Sequence, residues 1–219
     1  MTSSCKLFYG IDPHRLPFLL DDLNVTKRHY SSGQIILSQG EKTENFGVIE
    51  HGCIDASHYT SDGGESLIAQ LSAGQVFADF IAASPSKESP VTLIAHEDCT
   101  VVLIPINELF SAHIGFEKEM GLIMTNLVGI YAEQYFELKD RVFCITAPTL
   151  REKILRFFSL QQEKTKSNCF TINMTRERMA TYLNAERSAL SRELMRMKKE
   201  KIIDCNGKHF ILKINCKQC

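Results

Sequence analysis

The hydrophobic pattern of this 219-residue chain changes its period part-way along. Before about residue 107, apolar and β-branched residues occur in short runs separated by glycines, at 25–30, 34–37, 46–50, 54–59, 65–71, 91–97 and 100–105. Short runs with frequent turn signals predict a β-sandwich or barrel. Beyond that point apolar residues recur every three or four positions, which predicts amphipathic helices. We therefore expect an all-β first part and a mostly helical second part.

Charge also separates the two ends of the chain. Residues 1–147 hold 9 Lys and Arg against 19 Asp and Glu, a net charge of −10. Residues 148–219 hold 16 against 7, a net charge of +9. A basic module joined to an acidic one often binds a polyanion. The alternative is charge clustering without a partner.

No membrane or export signal is apparent. Residues 1–10 contain no long apolar run, and no stretch approaches the roughly 18 consecutive apolar residues of a spanning helix. The eight cysteines are scattered through both halves, and we expect them to be mostly reduced thiols. The sequence thus predicts a cytoplasmic protein with no membrane partner.

One long helix is predicted over residues 116–142, which contain no Pro. An apolar stripe at spacings of three and four runs along it, formed by Met120, Ile123, Leu127 and Ile130 and continued by Tyr131, Tyr135 and Leu138. Such a stripe is typical of a helix with one buried face. Two partners fit this face equally well: the β-rich domain of the same chain, or the matching helix of a second chain.

The most informative segment covers residues 174–203. Thr175 suits an N-cap, because its hydroxyl can accept a hydrogen bond from a first-turn amide. Asn184 is placed where a sharp turn between two helices needs a positive φ, which Asn tolerates better than most residues. The second helix, over residues 186–199, has an apolar face formed by Ala189, Leu190, Leu194 and Met197. The segment therefore predicts a helix-turn-helix.

The opposite face of this second helix carries groups that suit DNA, namely Arg187, Ser188, Ser191, Arg192 and Arg196. Arg can place two parallel donors on O6 and N7 of guanine, and the N-terminal part of a recognition helix usually meets base edges. Thr175 and Arg176, at the start of the preceding helix, are placed for phosphate contacts. The alternative is an ordinary helical hairpin with a solvated basic face.

A β-hairpin is predicted directly after the second helix. Asn206-Gly207 lies between two apolar runs, and this dipeptide is a strong signal for a two-residue turn. A helix-turn-helix followed by a hairpin is a winged helix. We expect Lys208 at the tip of the wing, near the DNA backbone.

With these motifs, the chain resembles the Crp/Fnr family of bacterial regulators over about residues 23–212. The most specific part is 175–203, which matches the family pattern T-R-x-x-(apolar)-(small)…R-x-x-(apolar)-S-R-x-L without a gap. Residues 33–41 and 48–54 resemble the family's glycine turn and the strand after it. By position, Arg187, Ser188 and Arg192 fall on the family's base-reading sites, and Ser191 resembles the serine of the Fnr-like branch.

The resemblance implies an α+β fold in three parts: a double-stranded β-helix (jelly roll) sensor over residues 1–115, a long dimerisation helix and hinge over 116–146, and a winged-helix DNA-binding domain over 147–219. It also implies a homodimer on a near-palindromic operator in double-stranded DNA, with RNA polymerase as a further candidate partner. No enzymatic activity and no catalytic residue are expected.

Two ligands of the family are not expected here. Its cyclic-AMP binders carry an R-(S/A) pair that grips the cyclic phosphate, whereas this chain has Ser89-Pro90 there and no Arg between Gln75 and Thr100. A buried phosphate without a guanidinium is poorly compensated. Its oxygen sensors hold an iron–sulfur cluster on several N-terminal cysteines, and this chain offers only Cys5 there.

The effector itself is unknown from the sequence. If it is a small molecule, its pocket is expected between the jelly roll and the long helix. The candidate residues are Phe77, Asp79, Phe80, Ser89, Tyr131 and Tyr135. The aromatic members favour a flat or apolar ligand, and Asp79 disfavours an anion.

Two other functions remain open, a cyclic-nucleotide-type sensor module that acts on a protein partner and a jelly-roll metal enzyme. A metal site needs converging histidines. The chain has no H-x-H pair, and His51 and His58 are seven residues apart, so no metal site is expected. The C-x-x-C pair Cys216 and Cys219 is a weak signal for a thiol switch or a metal site.

Overall fold

The computed structural model of the chain describes residues 5–213. The chain divides into two compact units, the N-terminal unit up to Tyr131 and the C-terminal unit from Ala132. Within the described residues, no helix is both long enough and apolar enough to cross a membrane. Each unit has an apolar core of its own.

Two four-stranded antiparallel sheets make up most of the N-terminal unit. Their strands are β1 Thr26–Tyr30, β2 Ile35–Leu37, β3 Asn45–His51, β4 Cys53–Tyr59, β5 Glu65–Ser72, β6 Val76–Phe77, β7 Thr92–Ala95 and β8 Cys99–Pro105. The strand orders are β1-β8-β3-β6 and β2-β7-β4-β5. The first strand pairs with the last, Thr26 opposite Leu103, so strands far apart in sequence are neighbours. This confirms the predicted jelly roll.

All seven predicted β runs correspond to strands, but β6 was not predicted. It has two residues, too few for an alternating pattern to show. Its Phe77 lies opposite Gly47 of β3, and a Cβ atom at Gly47 would stand 2.1 Å from Cζ of Phe77. Gly47 therefore makes room for a ring that packs with Ile49 and Ile54 in the core between the sheets.

Three helices accompany the sheets. They are α1 Leu16–Asp22, α2 Asp79–Ala83 and α3 Glu117–Ile145. The last confirms the predicted long helix, and it continues past Tyr131 into the C-terminal unit. A 3₁₀ turn at Ile106–Phe110 follows β8.

Two apolar stripes run along α3. The first, Met120, Ile123, Leu127 and Ile130, packs in the core of the N-terminal unit. The second, called the exposed stripe, is formed by Val128, Tyr135, Leu138 and Val142, which are 46–64% exposed. The predicted stripe combined members of both. Its first four residues pack on their own chain, whereas Tyr135 and Leu138 face solvent in the single chain.

The C-terminal unit is a winged helix-turn-helix, as predicted. Its elements are α4 Leu150–Thr165, β9 Cys169–Thr171, α5 Arg176–Tyr182, α6 Arg187–Lys199, β10 Ile203–Asn206 and β11 His209–Leu212. Helix α4 begins after Pro148 with Thr149 as its N-cap, whose hydroxyl oxygen accepts the Glu152 amide at 3.2 Å. The strands form one sheet of order β10-β11-β9.

Candidate nucleic-acid interface

Helices α5 and α6 form the predicted helix-turn-helix. Thr175 is the N-cap of α5, and its hydroxyl oxygen accepts a hydrogen bond from the Arg178 amide at 3.1 Å. Asn184 has a φ of +47°, so the turn takes the left-handed conformation that the sequence predicted. The inner side of α5 is buried in the same core as α6, through Met179, Ala180 and Leu183.

Helix α6 has one buried and one exposed face. Leu190, Leu194 and Met197 are at most 3% exposed, and Ala189 is half-buried. The five side chains predicted to meet DNA are all exposed, and together they are called the outer face of α6: Arg187, Ser188, Ser191, Arg192 and Arg196. Their position is the one predicted, and their contact with DNA stays a prediction.

An ion cluster that the sequence analysis missed ties α6 to α4. The Arg151 guanidinium donates to Glu193 at 2.6 Å and to the two carboxylate oxygens of Glu200 at 2.7 and 2.9 Å. Paired contacts between guanidinium and carboxylate fix orientation as well as adding energy. Glu193 and Glu200 are two helical turns apart, so both carboxylates lie on the side of α6 that faces Arg151. The cluster therefore fixes the orientation of α6 relative to α4.

The wing turn lies one residue later than predicted. Asn206 pairs with His209 across β10 and β11, so the two central residues are Gly207 and Lys208 rather than Asn206 and Gly207. Gly207 has a φ of +59°, as the first central residue of a type II′ turn requires. The register places Phe210 and Leu212 of β11 in the core, and this placement sets the position of the turn. Lys208 is exposed at the tip, as expected.

Arg176 has partners inside the C-terminal unit. Its guanidinium donates to the carbonyl oxygen of Gly207 at 3.0 Å and lies over the Phe210 ring, with 4.6 Å from Cζ to the ring centroid. The sequence placed Arg176 at a DNA phosphate. In the structure Arg176 contacts the wing turn and stabilises it through Gly207 and Phe210. Its contact with a DNA phosphate stays a prediction.

Within residues 5–213, no group of three or more His, Cys, Asp and Glu side chains is placed to hold a metal ion. Buried His113 has Nδ1 facing Asp22 and Nε2 at 2.6 Å from the Glu108 carbonyl oxygen. Burial lowers the pKa of His113, but these two acceptors outweigh it and raise the pKa. His113 is thus a structural residue. Cys216 and Cys219 lie outside the described residues.

Three of the candidate effector residues lie together in the N-terminal unit. The Tyr131 hydroxyl bonds to the Asp79 carboxyl group, and the Tyr131 ring stacks on Phe80 with 4.6 Å between centroids. Asp79 is 6% exposed, and its Oδ2 is buried without a hydrogen-bond partner among the described residues. Burial raises the pKa of Asp79, against the opposing effect of its hydrogen bonds.

The other three candidates have different surroundings. Phe77 is buried between the sheets and lines a cavity of about 300 Å³. Ser89 is buried, and its hydroxyl donates to the Val91 carbonyl at 2.6 Å. Tyr135 belongs to the C-terminal unit and is 64% exposed. A ligand contact by any of the six stays a prediction.

Replacing Asp79 by Asn is expected to raise the free energy of unfolding at neutral pH by about 1–3 kcal/mol, because a neutral amide costs less to bury than a carboxylate of the same shape. The folded pKa of Asp79 lies above the unfolded value. The stability that Asp79 contributes is therefore complete below about pH 3.9, and it is lost as the pH rises through the folded pKa. Asn cannot ionise, so the variant keeps its stability.

Urea unfolding of both proteins between pH 4 and pH 8 measures this effect. The advantage of the Asp79→Asn variant should grow with pH. The matched control is Asp21→Asn, at an exposed aspartate, which should show no such growth. An Asp79→Asn advantage that is absent, or equal at every pH, contradicts the prediction.

Two family models match the chain. Residues 27–113 match the cyclic nucleotide-binding domain, and residues 152–216 match the Crp-like helix-turn-helix domain. The first range covers the jelly-roll strands, and the second runs from α4 through the wing.

Two curated relatives are similar to parts of the chain. Electron transport regulator A of Shewanella oneidensis is 23% identical over 199 residues, which cover 88% of this chain and 77% of that protein. Potassium channel KOR2 of Oryza sativa is 26% identical over 128 residues, 58% of this chain. The match spans only 17% of the channel's length.

Solved structures share the fold. A CooA variant from Carboxydothermus hydrogenoformans has a TM-score of 0.59 at 18% identity, covering 90% of this chain and 86% of that one. The c-di-GMP responsive regulator CLP of Xanthomonas campestris has a TM-score of 0.58 at 13% identity, covering 93% and 100%. The catabolite activator protein of Thermus thermophilus has a TM-score of 0.50 at 17% identity, covering 95% and 93%. At these identities the likeness shows the fold alone.

A jelly roll of the cyclic nucleotide-binding type, joined by a long helix to a Crp-like helix-turn-helix, defines a class of transcription regulator. The recognition motif at residues 175–203 had indicated the same class. The chain belongs to the Crp/Fnr family.

Proposed function

We propose that this protein is a homodimeric, non-catalytic transcription regulator of the cytoplasm that binds a near-palindromic DNA operator. A signal received by the jelly roll, other than cyclic AMP, controls it. The observation that carries the proposal is the outer face of α6, where Arg187, Ser188, Ser191 and Arg192 are exposed while Leu190 on the inner face is buried. These exposed groups are donors and acceptors of the kind that read base edges.

The basic charge of the C-terminal part supports DNA as the partner. Residues 148–219 carry a net charge of +9, whereas residues 1–147 carry −10. Attraction to phosphates supplies most of the sequence-independent affinity for DNA. Lys208 at the wing tip is exposed and suits a phosphate. The charge thus favours a nucleic acid over a protein partner.

The exposed stripe of α3 supports a dimer. Val128, Tyr135, Leu138 and Val142 follow each other at intervals of seven, three and four residues, the repeat of a two-helix seam. A twofold dimer presents two copies of α6 to successive major grooves, roughly 34 Å apart, so the operator repeats with inverted symmetry. Bound beside a promoter, such a dimer acts through RNA polymerase.

The residues of the jelly roll disfavour cyclic AMP as the signal. Ser89 stands where the family's cyclic-AMP binders carry the arginine of the phosphate site, and it bonds instead to Val91. With one cysteine near the N-terminus of the described chain, Cys5, an iron–sulfur cluster held there is not proposed either. We propose that the signal shifts the population of two packings of α2 against α3.

Selection of bound sequences from random DNA, followed by a salt titration, tests the function. The selected sequences should share an inverted repeat, and affinity for it should fall about 10³-fold or more between 50 and 200 mM salt, as for six or more phosphate contacts. Lys208→Gln should reduce the salt dependence and weaken binding to all sequences alike. Unselective binding, or binding insensitive to salt, contradicts the proposal.

Arg192→Ala is expected to weaken operator binding by about 1–3 kcal/mol, the value of a bidentate contact to guanine. The loss should be confined to operators with the preferred base pair, because a base contact adds little on other sequences. Affinities for the operator and for unrelated DNA, measured side by side, test this. Equal losses on both, or none, refute base reading by Arg192.

A further inference from the structure

Three side chains on the N-terminal half of α6 and its N-cap form a hydrogen-bonded chain. The Ser188 hydroxyl donates to Glu186 Oε1 at 2.5 Å, and Arg192 Nη2 donates to the Ser188 oxygen at 3.4 Å. Ser188 and Arg192 are four residues apart, which places them one above the other on the helix surface. All three side chains are exposed. The chain of bonds therefore lies on the surface proposed to enter DNA.

The bonding leaves Ser188 without a donor for a base. A serine hydroxyl has one hydrogen, and here Glu186 receives it. The hydroxyl oxygen in turn accepts a hydrogen bond from the Arg192 guanidinium. Arg has five N–H donors in a planar fork, so one bond to Ser188 leaves an edge free for guanine. Ser188 is thus arranged to act through Arg192.

Glu186 is free for this task because it does not cap the helix. It occupies the N-cap position of α6, yet its side chain accepts no hydrogen bond from a first-turn amide. The positive end of the helix dipole favours a carboxylate at this place. That carboxylate orients the hydroxyl of Ser188, and the hydroxyl orients Arg192.

We propose that Glu186 and Ser188 are positioning residues that hold the Arg192 guanidinium in the orientation that reads guanine. The inference rests on the proposed function and names how its specificity is set. Fixing one end of a long side chain before binding lowers the conformational entropy lost on binding. Discrimination at the base pair of Arg192 is therefore stronger than an unsupported Arg would give.

Ser191 offers a matched control. It is the same residue type, on the same exposed face and beside Arg192, but its hydroxyl makes no hydrogen bond to any residue of the 5–213 span. Ser191→Ala removes a hydroxyl without touching the Glu186–Ser188–Arg192 chain. Ser188→Thr keeps the hydroxyl and is the conservative rescue.

The experiment uses the full-length protein and its selected operator. Each base pair of the half-site is changed symmetrically. For every variant, the affinity for the original operator is divided by the affinity for the changed operator, so that a lower ratio means weaker discrimination. Arg192→Ala should lower the ratio at one base pair about 10- to 100-fold. Ser188→Ala and Glu186→Gln should lower it at that same base pair about 3- to 10-fold, the range of one hydrogen bond. Ser188→Thr should leave that ratio unchanged. Ser191 also lies on the outer face of α6, so any loss of discrimination in Ser191→Ala should fall at a base pair other than that of Arg192.

The double variant Ser188→Ala/Arg192→Ala should lose no more discrimination than Arg192→Ala alone, because Ser188 acts only through Arg192. Additive losses, or a Ser188→Ala effect at a different base pair, overturn the inference and assign Ser188 a base of its own. An unchanged ratio in Ser188→Ala overturns it as well. A wild-type protein without any base preference instead refutes the proposed function, so the two failures are distinct.

Discussion

Tyr135→Lys is expected to convert the proposed dimer into a monomer and to lower operator affinity by a factor of about 100 or more. Tyr135 is 64% exposed at the middle of the exposed stripe. In a two-helix seam it faces its own copy, and two lysines placed there repel each other and cannot be desolvated at low cost. Each monomer then holds one half-site and loses the gain from simultaneous engagement. Analytical ultracentrifugation and operator titration measure both effects.

Glu137→Lys is the matched control for this prediction. Residues two apart on a helix point in nearly opposite directions, so Glu137 lies away from the exposed stripe. It is also exposed, and the variant receives the same new side chain. Glu137→Lys should remain dimeric with little change in operator affinity. A dimeric Tyr135→Lys protein would show that the stripe is not the seam.

Periodicity predicted that α3 exists but not which of its faces is covered. Ile123 and Leu127 belong to one stripe, and Tyr135 and Leu138 belong to another, with the same spacings of three and four. A single sequence gives both stripes equal weight. The difference arises from tertiary contacts, because the first stripe is covered by the core of the N-terminal unit and the second is not.

The helix-turn-helix was predictable because local rules determine it. Thr175 caps α5 by a contact three residues away, and Asn184 takes its positive φ within the turn itself. The roles of Arg151 and Arg176 were not predictable in this way. Their partners Glu200 and Gly207 lie 49 and 31 residues further along the chain, so no local pattern reports them. From its residue type and its place at the start of α5, Arg176 was predicted to contact a DNA phosphate.

Phe158→Ala is expected to destabilise the C-terminal unit by about 3–5 kcal/mol, which is a large part of the usual stability of a domain. Phe158 is 0% exposed, and its ring centroid lies 6.0, 5.6 and 5.0 Å from those of Phe157, Phe170 and Phe210. The ring therefore joins α4 to two strands of the wing sheet. Its removal leaves a cavity that these neighbours fill only in part.

The loss should be local, because the core around Phe158 contains residues of the C-terminal unit only. Hydrogen exchange should show amides of α4, α5 and α6 losing protection while the strands of the jelly roll keep theirs, and operator binding should fall with the fraction of folded C-terminal unit. Met195→Ala, at a 65% exposed position of α6, is the control and should leave exchange nearly unchanged. Equal loss of protection in both units would contradict the prediction. It would mean that the two cores unfold cooperatively, because Phe158 is buried in the core of the C-terminal unit alone.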